Sequence, residues 1–243
     1  MQGLLPPGGS PLDGTALAEA YRPPAGRWMR ANFVHALDVA VSVDGASAGL
    51  GSDGDKRVFD VLLAWADAVL VGHGTAAAEG YGQVDGDAGV VQLRRELGRP
   101  AGAPVVVVSR RASLAPGDRL AVPSTYLVTC GSSDADRRAA LAAAGVRVLV
   151  CGDDDVDLPA ALDALAAEGL EQVLCEGGPA LFRSAVAAGV VDELCLTTAP
   201  LLAGGAPGVL GDRGLPEPAP VRLTQLLEED GVLFTRYALD RAR

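Results

Sequence analysis

The stretch that decides the fold is Asp-Ala-Val-Leu-Val-Gly-His-Gly-Thr-Ala-Ala-Ala-Glu, residues 67–79. Its Val- and Leu-rich half predicts a short buried strand, and the alanines after the second glycine predict the start of a helix. A Gly-x-Gly turn at such a junction lets backbone N–H groups approach a phosphate without obstruction from Cβ atoms, and the helix N-terminus favours the negative charge. The turn Gly72-His73-Gly74-Thr75 therefore predicts a site for a phosphate-bearing nucleotide.

A second turn of the same kind, Glu176-Gly177-Gly178-Pro179, follows the apolar run at 172–176 and precedes another helical stretch. Its proline falls near the first helical turn, where a missing N–H costs little. Ligands of open α/β sheets bind at the carboxyl ends of strands, so the two turns together can hold opposite parts of one dinucleotide. Two ordinary tight turns are the alternative interpretation.

The first turn also matches the pattern G-x-G-x-x-A of dinucleotide-binding Rossmann proteins. A Rossmann unit needs a second strand ending in Asp or Glu about twenty residues later. Here that region, 90–97, has a helical pattern. A Rossmann dehydrogenase is therefore a minor alternative.

Short apolar runs alternate with helical stretches over most of the chain. The predicted strands are 29–43, 67–71, 104–109, 125–129, 146–151, 172–176 and 192–198, and the predicted helices are 55–66, 135–144, 158–168 and 180–188. Continuous apolar strands separated by helices predict a mainly parallel sheet with both faces covered. A final pair, 221–227 and 232–239, predicts an antiparallel hairpin around Asp230-Gly231. The fold class is thus α/β with a mixed sheet.

Length and composition limit the number of domains that the chain can form. A chain of 243 residues with 49% hydrophobic content can bury one large core, so we expect a single domain over 28–243. The prolines within residues 1–27 predict an irregular N-terminal arm. The net charge of −11 argues against a nucleic-acid partner, because proteins that bind nucleic acids concentrate Lys and Arg.

The spacing of apolar residues, cysteines and metal-ligating residues indicates whether the protein binds a membrane or a metal and which compartment it occupies. No apolar run is long enough to span a bilayer, so we expect no membrane partner. Four cysteines without a Cys-x-x-Cys pair indicate reduced core thiols in a cytoplasmic protein. No cluster of His, Cys and carboxylates has metal-ligand spacing, so we expect no metal.

A third strand end places Ser109, Arg110 and Arg111 after the apolar run at 104–108. In a chain this acidic, paired arginines suit the 2′-phosphate of an adenosine, because guanidinium groups make bidentate contacts with phosphate. A solvated loop is the alternative interpretation.

With these residues assembled, the chain resembles the reductase domain of the riboflavin-pathway deaminase-reductases, pyrimidine reductases with a dihydrofolate reductase-like fold. The resemblance runs over 28–239 and is strongest in the blocks 67–82, 176–181 and 191–205. It implies a three-layer α/β/α domain, NADPH as hydride donor, and a homodimer. The implied small-molecule substrate is a diaminopyrimidinone ribosylamine phosphate, or 5-amino-6-(5-phosphoribosylamino)uracil, whose ribose is reduced to ribityl.

The resemblance also implies roles for individual residues. Those that match the family's cofactor site are Gly72, Gly74, Thr75, Ser109, Glu176, Gly177, Gly178, Pro179 and Leu181. Glu79 falls where relatives carry the acidic residue assigned to proton transfer.

The chemistry of reduction gives an independent reason to look for an acid. Hydride addition to an imine or carbonyl carbon builds negative charge on the neighbouring atom, so a positioned proton donor accelerates the step by about 10²- to 10⁴-fold. A carboxyl group can do this near neutral pH only where burial raises its pKa. The candidates are Glu79 and Asp38, whose alternative interpretations are a helix-face carboxylate and a turn former at a strand end.

One block on the substrate side departs from the family pattern, which is Asn-x-x-x-Ser-x-Asp-Gly. Measured from Asn32, the chain has Ala36-Leu37-Asp38-Val39, so the aspartate is kept while the serine and the glycine are replaced. Valine in place of glycine adds a β-branched side chain and removes easy access to positive φ, which reshapes the space beside the reacting ring.

The candidate substrate-binding residues are Asn32, Lys56 and Arg57. The two cations could meet a substrate phosphate, and an exposed helix face is their alternative interpretation. The cofactor blocks thus match the family while the substrate blocks depart from it. Two hypotheses follow: an NADPH-dependent oxidoreductase acting on a pyrimidine- or pterin-like substrate, and a catalytically silent homologue that binds NADPH or another ligand.

Overall fold

The structure is a computed structural model that describes residues 1–5, 12, 14–43, 45–82, 87–205 and 207–240. Within these residues, ten strands form a single sheet. The strands are β1 (Gln2–Leu5), β2 (Trp28–Ala36), β3 (Ala68–Gly72), β4 (Val105–Val108), β5 (Thr125–Thr129), β6 (Arg147–Val150), β7 (Gln172–Cys175), β8 (Glu193–Ala199), β9 (Val221–Glu229) and β10 (Val232–Leu239). The helices are α1 (Gly14–Ala20), α2 (Asp53–Trp65), α3 (His73–Ala78), α4 (Ala88–Glu96), α5 (Ala135–Ala143), α6 (Leu158–Ala167) and α7 (Pro179–Ala187), with a 3-10 turn at Ser47–Leu50.

The sheet has a parallel and an antiparallel half, in the order β1-β9-β10-β8-β2-β7-β3-β4-β5-β6. Neighbours from β8 through to β6 are parallel. The strands β8, β10, β9 and β1 pair antiparallel. This confirms the predicted mixed, mainly parallel sheet with a C-terminal hairpin. Because β2, β7, β3 and β4 are parallel neighbours, the residues that follow them meet at one edge of the sheet.

Each central strand contributes side chains to two hydrophobic cores, one on each face of the sheet. In β3, Val69 and Val71 pack with side chains of α1, α2, α4 and α5. Leu70 packs with side chains of α6 and α7. All three are at most 1% exposed, which explains why the strand is an uninterrupted apolar run. The two helical layers confirm the predicted three-layer α/β/α, dihydrofolate reductase-like fold.

The length and hydropathy of the helices determine whether any of them could cross a membrane. In the described part of the chain, no helix is both long and apolar enough to cross a membrane.

Strand β2 ends earlier than the sequence predicts. The strand predicted over 29–43 stops at Ala36, where the Ala36 N–H donates to Ala40 O and the Val39 N–H donates to Ala36 O, each at 2.9 Å. Val39 has a φ of 64°, a left-handed conformation that reverses the chain. The prediction is therefore wrong beyond Ala36, because alternating apolar residues after it belong to a turn rather than to a strand.

The expectation of an irregular arm over 1–27 is wrong in two described segments. Strand β1 pairs with β9 and extends the sheet by one strand. Helix α1 buries Leu17 and Ala18, and Tyr21 directly after it is 1% exposed. These elements are short and gain their stability from the sheet edge and the core, so local sequence alone gives little indication of them.

Candidate functional site

Two depressions lie at the carboxyl edge of the parallel strands. The first, here called the groove, has a volume of about 610 Å³ and is lined by Gly72, Ser109, Arg110 and Leu181 among others. The second, here called the cleft, has a volume of about 830 Å³ and lies beside the ends of β2 and β7 and the start of α2. Gly74 lines both, so the groove and the cleft meet at the first glycine turn.

The two glycine turns are in direct contact. The Gly72 N–H donates to Gly177 O at 2.8 Å, which joins the end of β3 to the segment after β7. A Cβ atom on Gly178 would lie 2.3 Å from Thr75 Oγ1, so the two turns approach each other closely only because residue 178 has no side chain. The Gly177–Gly178 peptide bond is cis. The structure thus brings the two predicted turns together as one unit.

Helix α7 begins directly after the second turn, and its first residues lie between the groove and the cleft. Pro179 stands in its first turn, and Gly178 caps it without a side-chain hydrogen bond. Ala180 and Leu181 line the groove. Gly178 and Pro179 line the cleft. The N-terminus of this helix therefore lies between the two depressions, where its partial positive charge favours a phosphate.

The end of β4 supplies the cations of the groove. Ser109 is buried, and its Oγ accepts a hydrogen bond from the Ser113 N–H at 2.9 Å, which fixes the loop. Arg110 and Arg111 follow on the exposed side and line the groove. Asp157, which also lines the groove, caps α6 by accepting a hydrogen bond from the Ala160 N–H. The structure therefore places the predicted strand-end residues beside the glycine turns.

The deepest acid of the cleft is Glu176, at the end of β7. Burial raises its pKa to about 8, and a hydrogen bond from the Asn32 side chain opposes part of this rise. Its Oε1 atom is buried and has no hydrogen-bond partner among the described residues. Glu176 belongs to the turn that the sequence predicts for the cofactor, and its raised pKa was not predicted, although burial is the condition that a carboxyl proton donor must meet.

Asp55 is a second acid of the cleft that sequence analysis missed. It lies in the first turn of α2, where its N–H donates to Ser52 Oγ at 3.1 Å. Burial raises its pKa, and a hydrogen bond with Thr197 opposes the rise. In the sequence it is indistinguishable from an ordinary acid at a helix start, and only the approach of β8 and β7 gives it a buried setting.

Glu79, the predicted proton donor, lies at the rim of the cleft. It is exposed, and its Oε1 accepts hydrogen bonds from Ser47 N and Ser47 Oγ, both at 3.3 Å. It lines the same cleft as Glu176 and Asn32. The structure thus brings together these three predicted residues but leaves Glu79 in contact with solvent.

Asp38, the other predicted donor, does not meet the requirement for a raised pKa. Its exposed carboxylate accepts hydrogen bonds from Gly204 N at 2.6 Å and from Ala203 N at 3.2 Å. These bonds lower its pKa. Asp38 also lies outside the cleft lining. Its observed role is to hold the loop after β8 against the turn after β2, so the assignment to proton transfer is corrected.

The two predicted phosphate-binding cations point in different directions. Lys56 lies at the rim of the cleft, with Nζ 2.7 Å from Asp60 Oδ2 and 3.3 Å from Asp87 Oδ2. Arg57 forms an ion pair with Glu229 on β9 and does not line the cleft. Successive residues on a helix diverge by about 100°, which separates them. The prediction that both meet a substrate is therefore corrected for Arg57.

Comparison with known proteins places the chain in a family. A model of the RibD C-terminal domain matches residues 27–230. The chain belongs to the RibD C-terminal domain family. This confirms the resemblance noted from the sequence. The riboflavin biosynthesis protein RibD of Bacillus amyloliquefaciens is 33% identical over 92 residues, which cover 37% of this chain and 25% of that protein. The matched part is thus a minor portion of the curated relative.

Solved structures of the RibD type share the architecture. A pyrimidine reductase-like protein from Corynebacterium diphtheriae is 28% identical, with a TM-score of 0.77 over 88% of this chain and 92% of that one. RibD of Acinetobacter baumannii is 18% identical, with a TM-score of 0.70 over 88% and 58%. The riboflavin biosynthesis reductase Rib7 of Saccharomyces cerevisiae is 16% identical, with a TM-score of 0.63 over 91% and 94%. The last two similarities concern the fold alone.

Proposed function

We propose that this member of the RibD C-terminal domain family is an NADPH-dependent reductase of a pyrimidine- or pterin-like heterocycle. The observation that carries the proposal is the position of Glu176, whose Oε1 atom is buried and whose pKa is raised by burial to about 8, in a cleft that meets the groove at Gly74. Reductive chemistry needs a protonated acid near neutral pH beside the reacting carbon, and this group meets that need.

The groove fits a dinucleotide phosphate. The side chain missing at Gly178 leaves the two turns in close contact, and the α7 N-terminus carries no side-chain cap. Gly72, Gly74 and the first turn of α7 would hold the pyrophosphate, and Arg110 with Arg111 would hold the 2′-phosphate that distinguishes NADPH from NADH. When bound, NADPH would supply the hydride.

The residues of the cleft account for the proton. Hydride addition to a C=N or C=O carbon leaves an electron pair on nitrogen or oxygen, which must take up one proton. Glu176 can donate that proton from its carboxyl group and regain one from solvent, while Asn32 orients the carboxyl group through its hydrogen bond. Glu79, exposed at the rim, is the alternative donor implied by the family resemblance.

The second candidate is a catalytically silent homologue that binds NADPH or another ligand. It is motivated by the turn after β2, where Val39 adopts a φ of 64° in place of the family's glycine and Ala36 replaces the serine. The double variant Ala36→Ser/Val39→Gly decides between the two. Turnover that appears only in the variant would favour the silent homologue.

A homodimer is part of the proposal and comes from the family resemblance. The apolar side chains of Leu37, Val39 and Leu202 are 58%, 59% and 76% exposed on adjacent loops. Exposed apolar groups close together mark interaction surfaces. Sedimentation equilibrium should give twice the chain mass for the wild type and a shift towards monomer for Leu202→Ser, and a monomeric wild type would contradict this part.

The test of the function is a binding and turnover panel. Thermal unfolding is followed with NADPH, NADH, folates and flavin-pathway pyrimidines, because a ligand of the native state raises apparent stability by mass action. NADPH should raise the Tm more than NADH does, and NADPH oxidation should follow addition of a pyrimidine or pterin substrate. If saturating NADPH leaves the Tm unchanged, the cofactor assignment fails.

A further inference from the structure

Tyr81 is a polar side chain of the cleft that the proposed reaction does not use. It lies two residues after Glu79, and both side chains line the cleft together with Glu176. Tyr81 is partly buried and packs against the core on the α2 side of the sheet. Its hydroxyl group has no hydrogen-bond partner among the described residues. The cleft thus holds a phenol whose O–H group is free to donate.

The turn that ends α3 explains where Tyr81 lies. The Tyr81 N–H donates to Ala76 O at 2.9 Å, and Gly80 before it has a φ of 61°. This is a Schellman motif, in which a left-handed glycine reverses the chain and the next residue commonly packs against the last turn of the helix. Glu79, just before the glycine, is exposed at the rim of the cleft. Two neighbouring polar groups therefore differ in depth.

Arg119 also holds this turn. Its guanidinium group donates to Gly80 O at 3.2 Å. A Cβ atom on Gly82 would lie 3.1 Å from Arg119 Nη2, so the guanidinium group packs closely against a residue that lines the cleft. The segment that carries Glu79 and Tyr81 is therefore fixed by hydrogen bonds at its N–H and C=O groups.

Two carboxyl groups of the cleft act on the Tyr81 hydroxyl group. Burial raises the pKa of this hydroxyl above its usual range, and the charges of Glu176 and Glu79 raise it further. The phenol therefore keeps its proton near neutral pH, so that it can donate one hydrogen bond and accept another. Because charge interactions weaken with distance, Tyr81 lies near both acids, one at the deep end of the cleft and one at its rim.

Glu176 needs a route by which its proton is replaced after each turnover. Its Oε1 atom is buried and has no hydrogen-bond partner among the described residues. Loss of the proton leaves a carboxylate in a setting that disfavours charge. Ligands that fill an active site also expel water from it, which removes the direct route from solvent. A protein group that reaches the rim would restore the acid.

We propose that Tyr81 acts through Glu176, by passing protons from Glu79 at the rim to Glu176 at the deep end of the cleft. The inference rests on the proposed reductase function and deepens it. Tyr81 is thus a positioning residue for the proton, and the two candidate acids are the ends of one path.

The protons balance in this relay. Glu176 first gives its proton to the nitrogen or oxygen of the substrate. The Tyr81 O–H proton then moves to the Glu176 carboxylate, while the phenol oxygen takes the proton of the Glu79 carboxyl group in the same step. Glu79 is reprotonated from solvent, so that one proton is consumed per turnover and no phenolate accumulates. The relay itself changes no oxidation state.

Tyr81→Phe tests the relay, because it removes the hydroxyl group and keeps the ring. In stopped-flow measurements of NADPH oxidation, the first turnover should keep its wild-type rate, since Glu176 already carries its proton. Later turnovers should slow by roughly tenfold, less than the loss expected for the donor itself, and added imidazolium should restore part of the rate. Tyr237→Phe, on β10 and outside the cleft, is the matched control and should behave as the wild type.

Two kinetic results would overturn the inference. One is an unchanged steady-state rate in Tyr81→Phe. The other is an equal loss in the first turnover, which would mean that Tyr81 acts on the substrate and not on the return of the proton.

A double variant shows whether Glu79 and Tyr81 serve the same path. Residues that act in one network are not additive, so Glu79→Gln/Tyr81→Phe should lose no more than the larger of the two single losses. Additive losses would contradict a shared path. If Tyr81→Phe does not fold, Glu79→Gln interrupts the same path at an exposed position and carries the same kinetic expectation.

An infrared measurement makes the test independent of the substrate. After a light-triggered drop in pH, the C=O stretch of protonated Glu176, assigned by its absence in Glu176→Gln, should appear more slowly in Tyr81→Phe than in the wild type. Equal rates would overturn the relay. The NADPH-induced rise in Tm is measured on the same samples. A normal rise with equal protonation rates sinks the relay alone, and a missing rise sinks the reductase proposal.

Discussion

The groove and the cleft lie side by side on one sheet edge, yet they use the chain in different ways. The groove depends on backbone geometry, on glycines and on a helix start, with Arg110 and Arg111 as its cations. The cleft depends on charged side chains from α2, α3, β7 and the start of α4. Backbone geometry follows from short local motifs, whereas a side-chain environment depends on elements far apart in sequence. Four variants test this contrast.

The largest effect is expected where the backbone approach is tightest. Gly178→Ala would place a Cβ atom 2.3 Å from Thr75 Oγ1, so the two turns must separate. We expect a loss of roughly 1–3 kcal/mol in unfolding free energy, as for overpacked cores, together with loss of the NADPH-induced rise in Tm. Urea unfolding and thermal shift measure the two effects.

Gly74→Ala is the matched control, because a Cβ atom there meets nothing within 4 Å. Its unfolding free energy should equal or exceed that of the wild type, since alanine favours helices. Wild-type stability and NADPH response in Gly178→Ala would show that the close approach is dispensable.

The second largest effect is expected at the acid of the cleft. Glu176→Gln removes the proposed proton donor and should lower kcat by about 10²- to 10⁴-fold. Glu79→Gln, which alters an exposed carboxylate of the same cleft, should have a smaller effect. The reverse order would transfer the role to Glu79.

The pH dependence of stability gives Glu176 a second signature. Burial raises its pKa from 4.5 to about 8, so the folded state holds this proton more tightly than the unfolded state. Its contribution to stability is therefore complete below about pH 4.5 and is lost as the pH rises through about 8. Glu176→Gln should flatten this part of the stability profile, and an unchanged slope would contradict the burial of the acid.

A smaller effect is expected at the cations of the groove. Arg110→Ala/Arg111→Ala should weaken NADPH binding by roughly 10- to 100-fold, since hydrogen bonds to charged groups contribute about 1.5–3 kcal/mol. NADH, which lacks the 2′-phosphate, should be little affected in calorimetry. Arg95→Ala/Arg137→Ala, at exposed positions on α4 and α5, removes the same charge and is the control. Equal losses for both cofactors would show that the arginines do not read the 2′-phosphate.

The smallest effect is expected at the strained turn beside the cleft. Val39→Gly relieves a left-handed conformation that costs about 1–2 kcal/mol but adds about 0.4–1 kcal/mol of unfolded-state entropy, so the unfolding free energy should rise by up to about 1.6 kcal/mol. Leu37→Gly, an exposed neighbour without positive φ, should lose stability instead. Equal destabilisation of both in urea unfolding would contradict strain at Val39.

The sequence predicted those features of the fold that depend on residues close together in the chain. The strand and helix alternation, the hairpin around Asp230-Gly231 and the direct succession of strand, glycines and helix at Gly72 and Gly178 all follow from residues close in the chain. The end of β2 escaped prediction because Val39 occupies a conformation that its residue type disfavours.

The chemistry of the cleft was less predictable, because its causes are long-range. Burial raises the pKa of Glu176, the hydrogen bond from Asn32 lowers it, and the charge of Asp55 raises it further. These three residues lie far apart in the sequence. Lys56 and Arg57 look equivalent in the sequence, and only Asp87 and Glu229, distant in the chain, give them different partners. Asp38 kept its place in a family pattern while its carboxylate was engaged by loop amides.

Gly74 is the only residue, within the described ranges, that lines both the groove and the cleft. Because the two depressions share so little of their surface, each can be altered by mutation without changing the other. Under the proposed function, mutation of the cleft would change which heterocycle is accepted while the groove continues to bind its nucleotide, and the reverse would also hold. An engineer, like natural selection, could then exchange the substrate of this scaffold without redesigning its source of reducing equivalents.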